Sequence, residues 1–292
     1  MVYNIYSHDD KSTRTIKRFD IKLGDLCRKK LYILQRTHTI LNQPTMKRSL
    51  FIIAIVAVYT GTQAQDLKPV AYNDGDQKLN GFVTNNAGKK LPGVLVLPAW
   101  KGIDDEAKNA AMALAKQGYI AFVADIYGEG NIPADNNAAA KMAGTYRKDF
   151  AAYQKRIDLA LQQLKKAGAD DSKLAVIGYC FGGSGALETA RAGFPVKGVV
   201  SIHGGLGKDS TRTNGPLSTK ILIENPAEDQ GVTPQVMSSL IREMNDGKAD
   251  WQIITYAYSK HTFTDPKSPD YNAVMAKRAW EHTLMFLSET LK

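Results

Sequence analysis

Chemistry is first suggested by five residues, Gly178-Tyr179-Cys180-Phe181-Gly182, which set a nucleophile between two glycines in the pattern Gly-x-Nuc-x-Gly. The apolar run Leu174-Ala175-Val176-Ile177 leads in and predicts a buried parallel strand; Ser184 to Ala192 leads out and predicts a helix. A side chain on so tight a strand-to-helix turn is held in a strained, exposed position. The flanking glycines let the backbone pass closely beneath it, and the helix aims its partly positive N-terminus at the sulfur. The plainer reading of the same residues is a buried, inert thiol.

A cysteine nucleophile needs a base within hydrogen-bond reach and a third group to orient that base. His203, His261 and His282 are the candidates downstream. His282 falls inside the closing helix, where packing or solvation is its expected role. His203, in Ser201-Ile202-His203-Gly204-Gly205, follows a strand and could line the pocket, but it precedes every candidate acid. His261, in Ser259-Lys260-His261-Thr262-Phe263-Thr264-Asp265-Pro266, lies on the loop between the last strand and the last helix. That position and the chain order nucleophile, acid, histidine select His261. The acid should follow the strand Ile221-Leu222-Ile223-Glu224, where Ala227-Glu228-Asp229-Gln230-Gly231 supplies two carboxylates. Asp229, just before the turn into the next helix, is preferred; Glu228 is the alternative, and both could be solvated turn residues. The backbone N–H groups of Phe181 and of Trp100, in Pro98-Ala99-Trp100-Lys101-Gly102, are the expected oxyanion donors.

These residues need a scaffold that gathers them. Gly93 to Pro98, Tyr119 to Ala124, Val196 to Ile202, Ile221 to Glu224 and Trp251 to Tyr256 predict further strands, with Leu79 to Thr84 an antiparallel edge strand. Helices are predicted over Asp105 to Gln117, Tyr146 to Ala167, Pro234 to Asn245 and Ala273 to Leu291, and a loop from Gly128 to Asn137. Strand and helix alternate, so the fold class is α/β, a mostly parallel central sheet with helices on both faces. No P-loop, no Gly-x-Gly-x-x-Gly after a strand, no paired CxxC and no HExxH occurs, so no metal or cofactor is expected.

The N-terminal quarter reads differently. Met46-Lys47-Arg48-Ser49, the apolar run Leu50 to Val58 and the small residues of Thr62-Gln63-Ala64 follow the order of a secretory signal peptide over 46–64. The run is short for a membrane span. Residues 1–45 are basic and patternless and are expected to be an untranslated or non-native extension, with translation starting at Met46. Of the chain's net +9, residues 1–45 supply nine Lys/Arg against four Asp/Glu, Lys47 and Arg48 add two more, and 65–292 keeps only +2. Bulk charge therefore gives no support to nucleic-acid binding. The mature protein is expected to be exported, periplasmic or extracellular, without a stable membrane anchor. Its 228 residues suit a single domain, and Cys180 is then its sole thiol, because Cys27 lies in the discarded segment.

From about Gly93 to the C-terminus the chain resembles the dienelactone hydrolase family of α/β hydrolases. The resemblance rests on Gly118-Tyr119 before a strand, Ala124-Asp125-Ile126-Tyr127-Gly128 after it, the Gly-Tyr-Cys-Phe-Gly-Gly elbow, the Ala-Glu-Asp loop and His261-Thr262-Phe263 with Pro266. It implies an α/β-hydrolase fold and a Cys180–His261–Asp229 triad that cleaves an ester, thioester or lactone through an acyl-enzyme. Ala99, Tyr127, Glu129, His203, Phe263 and Asp265 are the implied pocket residues. Ala99 stands where family members carry a glutamate that activates the cysteine. Glu129 and Asp265 stand where they carry two arginines for the substrate's carboxylate. Two acids in that place should repel an anion, so a neutral or cationic ester, thioester or lactone is the expected partner. The competing reading is a binding protein on a catalytically degenerate hydrolase fold.

Overall fold

The computed structural model describes residues 66–292. The expected signal peptide over 46–64, the expected extension over 1–45 and Cys27 lie outside the described residues. The strands are β1 (Leu67–Asp74), β2 (Gln77–Thr84), β3 (Pro92–Leu97), β4 (Ile120–Val123), β5 (Asp170–Tyr179), β6 (Gly198–Ile202), β7 (Lys220–Pro226) and β8 (Trp251–Tyr256). The helices are α1 (Asp105–Lys116), α2 (Asn136–Lys148), α3 (Phe150–Lys166), α4 (Phe181–Arg191), α5 (Pro234–Asp246) and α6 (Ala273–Leu291). The eight strands form one sheet in the order β1-β2-β4-β3-β5-β6-β7-β8. β1 and β2 form an antiparallel hairpin and β2 meets β4 antiparallel; all other pairs are parallel.

The central strands are apolar throughout because both faces are covered. In β3, Val94 and Val96 point toward α1 and α6, with Ala111, Leu114 and Leu287 packed there. Leu95 and Leu97 point to the opposite face, where Ile157 and Leu161 of α3, Ala186 and Leu187 of α4, and Leu240 of α5 pack. Among the described residues no helix is long and apolar enough to cross a membrane.

Two features depart from the sequence reading. The long helix expected over Tyr146 to Ala167 is two helices, broken at Asp149, whose backbone (φ −113°, ψ 81°) is not helical. The Asp149 carboxylate accepts the Ala152 N–H, so one residue ends α2 and caps α3. Residues 136–145 form most of α2, although the sequence pattern predicts a loop through Asn137 and no element over 138–145. The edge strand β1 also escaped notice, since most of its side chains lie at the surface and carry no apolar alternation.

The topology does one thing for function. Parallel strands end on the same edge of the sheet, so the loops after β3, β5, β6, β7 and β8 converge there. Those loops carry Trp100, Cys180, His203, Asp229 and His261 respectively.

Candidate active site

Cys180 is the single residue between β5 and α4, and its backbone is held at φ 51°, ψ −110°. A non-glycine residue at positive φ is costly and persists only where its surroundings over-determine it. Here the surroundings are backbone. A Cβ on Gly178 would run into the Gly182 carbonyl, and one on Gly182 into the Leu97 carbonyl at the end of β3. The two glycines thus let the strand, the turn and the neighbouring β3 close on one another. Gly182→Ala is expected to destabilise the protein by about 3 kcal/mol or more. Urea denaturation checks it; near-wild-type stability would contradict this packing.

The elbow is pinned from the helix side as well. The Tyr153 ring stacks on Phe181 at 4.5 Å and 5°, and the Tyr153 hydroxyl donates to the Phe181 carbonyl at 3.0 Å. Tyr127 stacks on the other neighbourhood of that ring at 5.9 Å and donates its hydroxyl to the Trp100 carbonyl at 2.8 Å. Tyr127 therefore ties the loop after β3 to the first turn of α4. The Phe181 N–H sits at a helix start, where no intrahelical partner exists. Neither it nor the Trp100 N–H is taken by a hydrogen-bond acceptor among the described residues.

Three side chains stand in line. His261 Nε2 lies 3.1 Å from Cys180 Sγ, and His261 Nδ1 lies 2.7 Å from Asp229 Oδ2. The second Asp229 oxygen accepts the Gly231 N–H at 2.8 Å. Burial would raise the Asp229 carboxyl, but the bonds from His261 and Gly231 outweigh it and hold the group below the usual carboxylate range. The bond to Asp229, helped by Cys180, pushes the His261 imidazole up to about 10. The alternative acid, Glu228, is exposed and only its backbone is engaged, donating its N–H to Ser259.

The remaining expected pocket residues divide. Ala99 and Trp100 are half-buried on the loop after β3, and Tyr127 is buried against Phe181. Glu129 is exposed and lines a cavity of about 280 Å³ together with Lys101, Lys108 and Tyr127. Asp265 is half-buried; its carboxylate accepts the Lys267 N–H and its charge is felt by Asp104 and Glu106. Phe263 is fully buried, stacked on Tyr256 and edge-on to His203, which makes it packing behind the site. His203 is buried too, its ring edge-on to His261 at 5.3 Å.

His203 leads to residues that sequence reasoning missed. The Cys180 N–H donates to His203 Nδ1 at 3.2 Å, so that nitrogen carries no proton. His203 Nε2–H then donates to Thr264 Oγ1 at 2.8 Å, and the Thr264 hydroxyl donates to Glu106 Oε1 at 2.6 Å. Burial pushes His203 down to about 3, in keeping with a neutral ring. Burial pushes Glu106 up to about 8. A second unforeseen neighbour is Arg147 of α2, whose guanidinium lies 5.8 Å from the Phe181 ring centre.

The Glu106 shift makes a signed prediction. An acid raised on folding contributes stability that is fully present below its ordinary value of 4.5 and is lost as pH rises through about 8. Glu106→Gln cannot ionise, so its Tm should gain on wild type between pH 5 and 9. A Tm difference independent of pH would contradict the assignment.

The model of the dienelactone hydrolase family matches residues 79–291. The chain belongs to the dienelactone hydrolase family. It is a hydrolase of the class acting on ester and lactone bonds. A Bradyrhizobium relative named "Probable 2-oxo-3-(5-oxofuran-2-ylidene)propanoate lactonase" is 26% identical over 238 residues, 78% of this chain and 95% of that one. The solved structure of a dienelactone hydrolase-like promiscuous phosphotriesterase from metagenomic libraries is 32% identical. It covers 78% of this chain and 100% of its own, with a TM-score of 0.73. A Pyrococcus horikoshii acylaminoacyl peptidase, 13% identical with a TM-score of 0.60, covers 79% of this chain and 43% of its own and shares the α/β-hydrolase fold alone. In this dienelactone hydrolase family member, the turn at Cys180, the loop with Asp229 and the loop with His261 meet at one point.

Proposed function

We propose that this hydrolase works through a Cys180–His261–Asp229 triad and a covalent acyl-enzyme. The observation that carries the reading is the unbroken line from Asp229 through His261 to Cys180, at 2.7 and 3.1 Å. Sγ attacks the carbonyl carbon, a C–S bond forms and the π electrons move to oxygen. That oxyanion is met by the N–H groups of Phe181 and Trp100. His261 holds the thiol proton on Nε2, steadied by Asp229, and gives it to the leaving oxygen as the C–O bond breaks. A water molecule then yields a proton to His261 while its oxygen attacks the thioester. The C–S bond breaks, the acid departs and the cysteine–histidine pair is restored. With Ala99 supplying no carboxylate, His261 alone handles the proton.

The substrate class follows from charge. Glu129 shares its cavity with Lys101 and Lys108, and Arg147 lies beside Phe181, so acids and bases are matched around the loops that carry the site. That balance favours an uncharged ester or lactone over either ion. A neutral lactone and its carboxylate-bearing analogue should differ by roughly tenfold or more in kcat/KM, with KM carrying the difference. Equal or faster turnover of the anion would overturn this part of the reading.

Export is also proposed, on the basic–apolar–small order of residues 46–64. The mature N-terminus should then lie near Gln65 by mass spectrometry. An exported species that still carries Met46 would contradict it.

A further inference from the structure

Five non-glycine residues have positive φ among the described residues, and Cys180 (51°) and His203 (40°) are the two that are buried. They stand side by side. β5 and β6 are parallel neighbours with Tyr179 opposite Ile202, so each strained residue is the first one past the end of its strand. Strain of this kind persists only where the surroundings impose it, and a histidine that merely fills space has no need of it. The His203 N–H donates to the Glu224 carbonyl at 2.9 Å. At the next residue, Gly204, a Cβ would strike the Ser201 hydroxyl and the Gly183 backbone. The backbone at 203–204 is thus held from two sides.

That conformation sets the ring between two parts of the site. Nδ1 accepts the Cys180 N–H at 3.2 Å, a donor shared with the Ile202 carbonyl at 3.1 Å. Nε2–H donates to Thr264 Oγ1 at 2.8 Å, and Thr264 stands three residues after His261 on the same loop. Thr264 is held in turn by Glu106 of α1 at 2.6 Å. One imidazole therefore ties the backbone of the nucleophile to the loop that carries the base. The titratable groups that face the ring are Cys180, Tyr179, His261 and Asp229, with Glu106 behind Thr264. Only a neutral ring with its proton on Nε2 can make both bonds, since an imidazolium has no acceptor. Burial, and after it the charge of His261, keep the ring in that form.

We propose that His203 is a positioning residue of this hydrolase, a neutral strut anchored through Thr264 that sets the separation between Cys180 Sγ and His261 Nε2. The proposal rests on the Cys180–His261–Asp229 triad. His203 takes no part in the proton transfer, because its Nε2 proton is committed to Thr264 and its Nδ1 lone pair to the Cys180 N–H. With the strut in place, His261 Nε2 lies 3.1 Å from the sulfur, within reach of its proton. Cutting the strut frees the 261–264 loop, and the base drifts from the thiol. His203 is 2% exposed and lies behind the reacting groups, so kcat should fall while KM holds.

Three variants of the full chain test it. Thr264→Val removes the hydroxyl and keeps the shape, and Thr264→Ser keeps the hydroxyl. His203→Asn, at ease at positive φ, leaves an acceptor for the Cys180 N–H but is too short to reach Thr264. With a p-nitrophenyl ester, Thr264→Val and His203→Asn should each lose about tenfold or more in kcat with KM within about twofold, and Thr264→Ser should recover most of that loss. Alkylation by iodoacetamide at pH 7, read by mass on the peptide containing Cys180, should slow about tenfold in the valine and asparagine variants, because the thiolate is the nucleophile. A purely structural role has the opposite sign: a loosened fold exposes the buried thiol and speeds alkylation. Wild-type kcat in Thr264→Val, an equal loss in Thr264→Ser, or alkylation that is unchanged or faster would overturn the proposal. Should His203→Asn fail to fold, the valine and serine variants decide. Cys180→Ala separates the two possible failures. Wild-type activity in that variant would remove the triad and the strut with it, whereas an inactive Cys180→Ala beside a fully active Thr264→Val would remove the strut alone.

Discussion

Cys180→Ala is expected to lower kcat/KM for ester hydrolysis by a thousandfold or more, an order of magnitude set by other nucleophile deletions. The size of the loss follows from what remains. The variant keeps the Phe181 and Trp100 N–H groups and the His261–Asp229 pair, but it has no atom to form the acyl bond. The strained backbone at residue 180 is compatible with alanine to the same degree as with cysteine, since both carry a Cβ. Its far-ultraviolet circular dichroism and Tm should therefore stay close to wild type. Retained activity in a folded Cys180→Ala protein would remove the cysteine from the mechanism.

Asp229→Asn is expected to cost roughly a thousandfold to ten-thousandfold in kcat, the scale found when a triad acid becomes an amide. Asp229 is the principal cause of the raised proton affinity of His261, and it fixes which imidazole nitrogen faces Cys180. An amide accepts a bond at only one atom, and its NH2 can turn toward His261 and favour the wrong tautomer. Glu228→Gln is the control: that side chain is exposed and makes no hydrogen bond to the site among the described residues, so its kcat should match wild type within about twofold. Stability should separate the two variants as well. A base raised on folding contributes stability that is full below its ordinary value and fades as pH rises through its folded one. The His261 contribution is thus complete below 6.5 and lost through about 10. Asp229→Asn should flatten that alkaline limb. Wild-type kcat in Asp229→Asn, or an equal loss in Glu228→Gln, would point to the wrong acid.

The line Cys180, Asp229, His261 was legible because each member sits next to a local signal. Cys180 has its glycines and an apolar strand before it. Asp229 and His261 follow apolar runs that read as strands, and parallel strands deliver their following loops to one edge whatever the details of packing. Glu106 and Thr264 gave no such signal. They are 158 residues apart, and Glu106 lies among Asp104 and Asp105, where acidic residues are ordinary for the first turn of a helix. Only packing of α1 against the loop after β8 turns it inward. Arg147 was hidden for a related reason: the break at Asp149 that sets the direction of α2 depends on a capping bond, whereas the residue pattern runs on through it.

The central claim is a thioester on Cys180, and it can be weighed directly. Wild-type protein mixed with a p-nitrophenyl ester and quenched in acid within the first turnovers should show one added acyl mass. Peptide mapping should place it on the peptide containing Cys180, and the adduct should be missing from Cys180→Ala. Steady hydrolysis by the wild type with no acyl adduct at any quench time, together with the same rate in Cys180→Ala, would contradict the account.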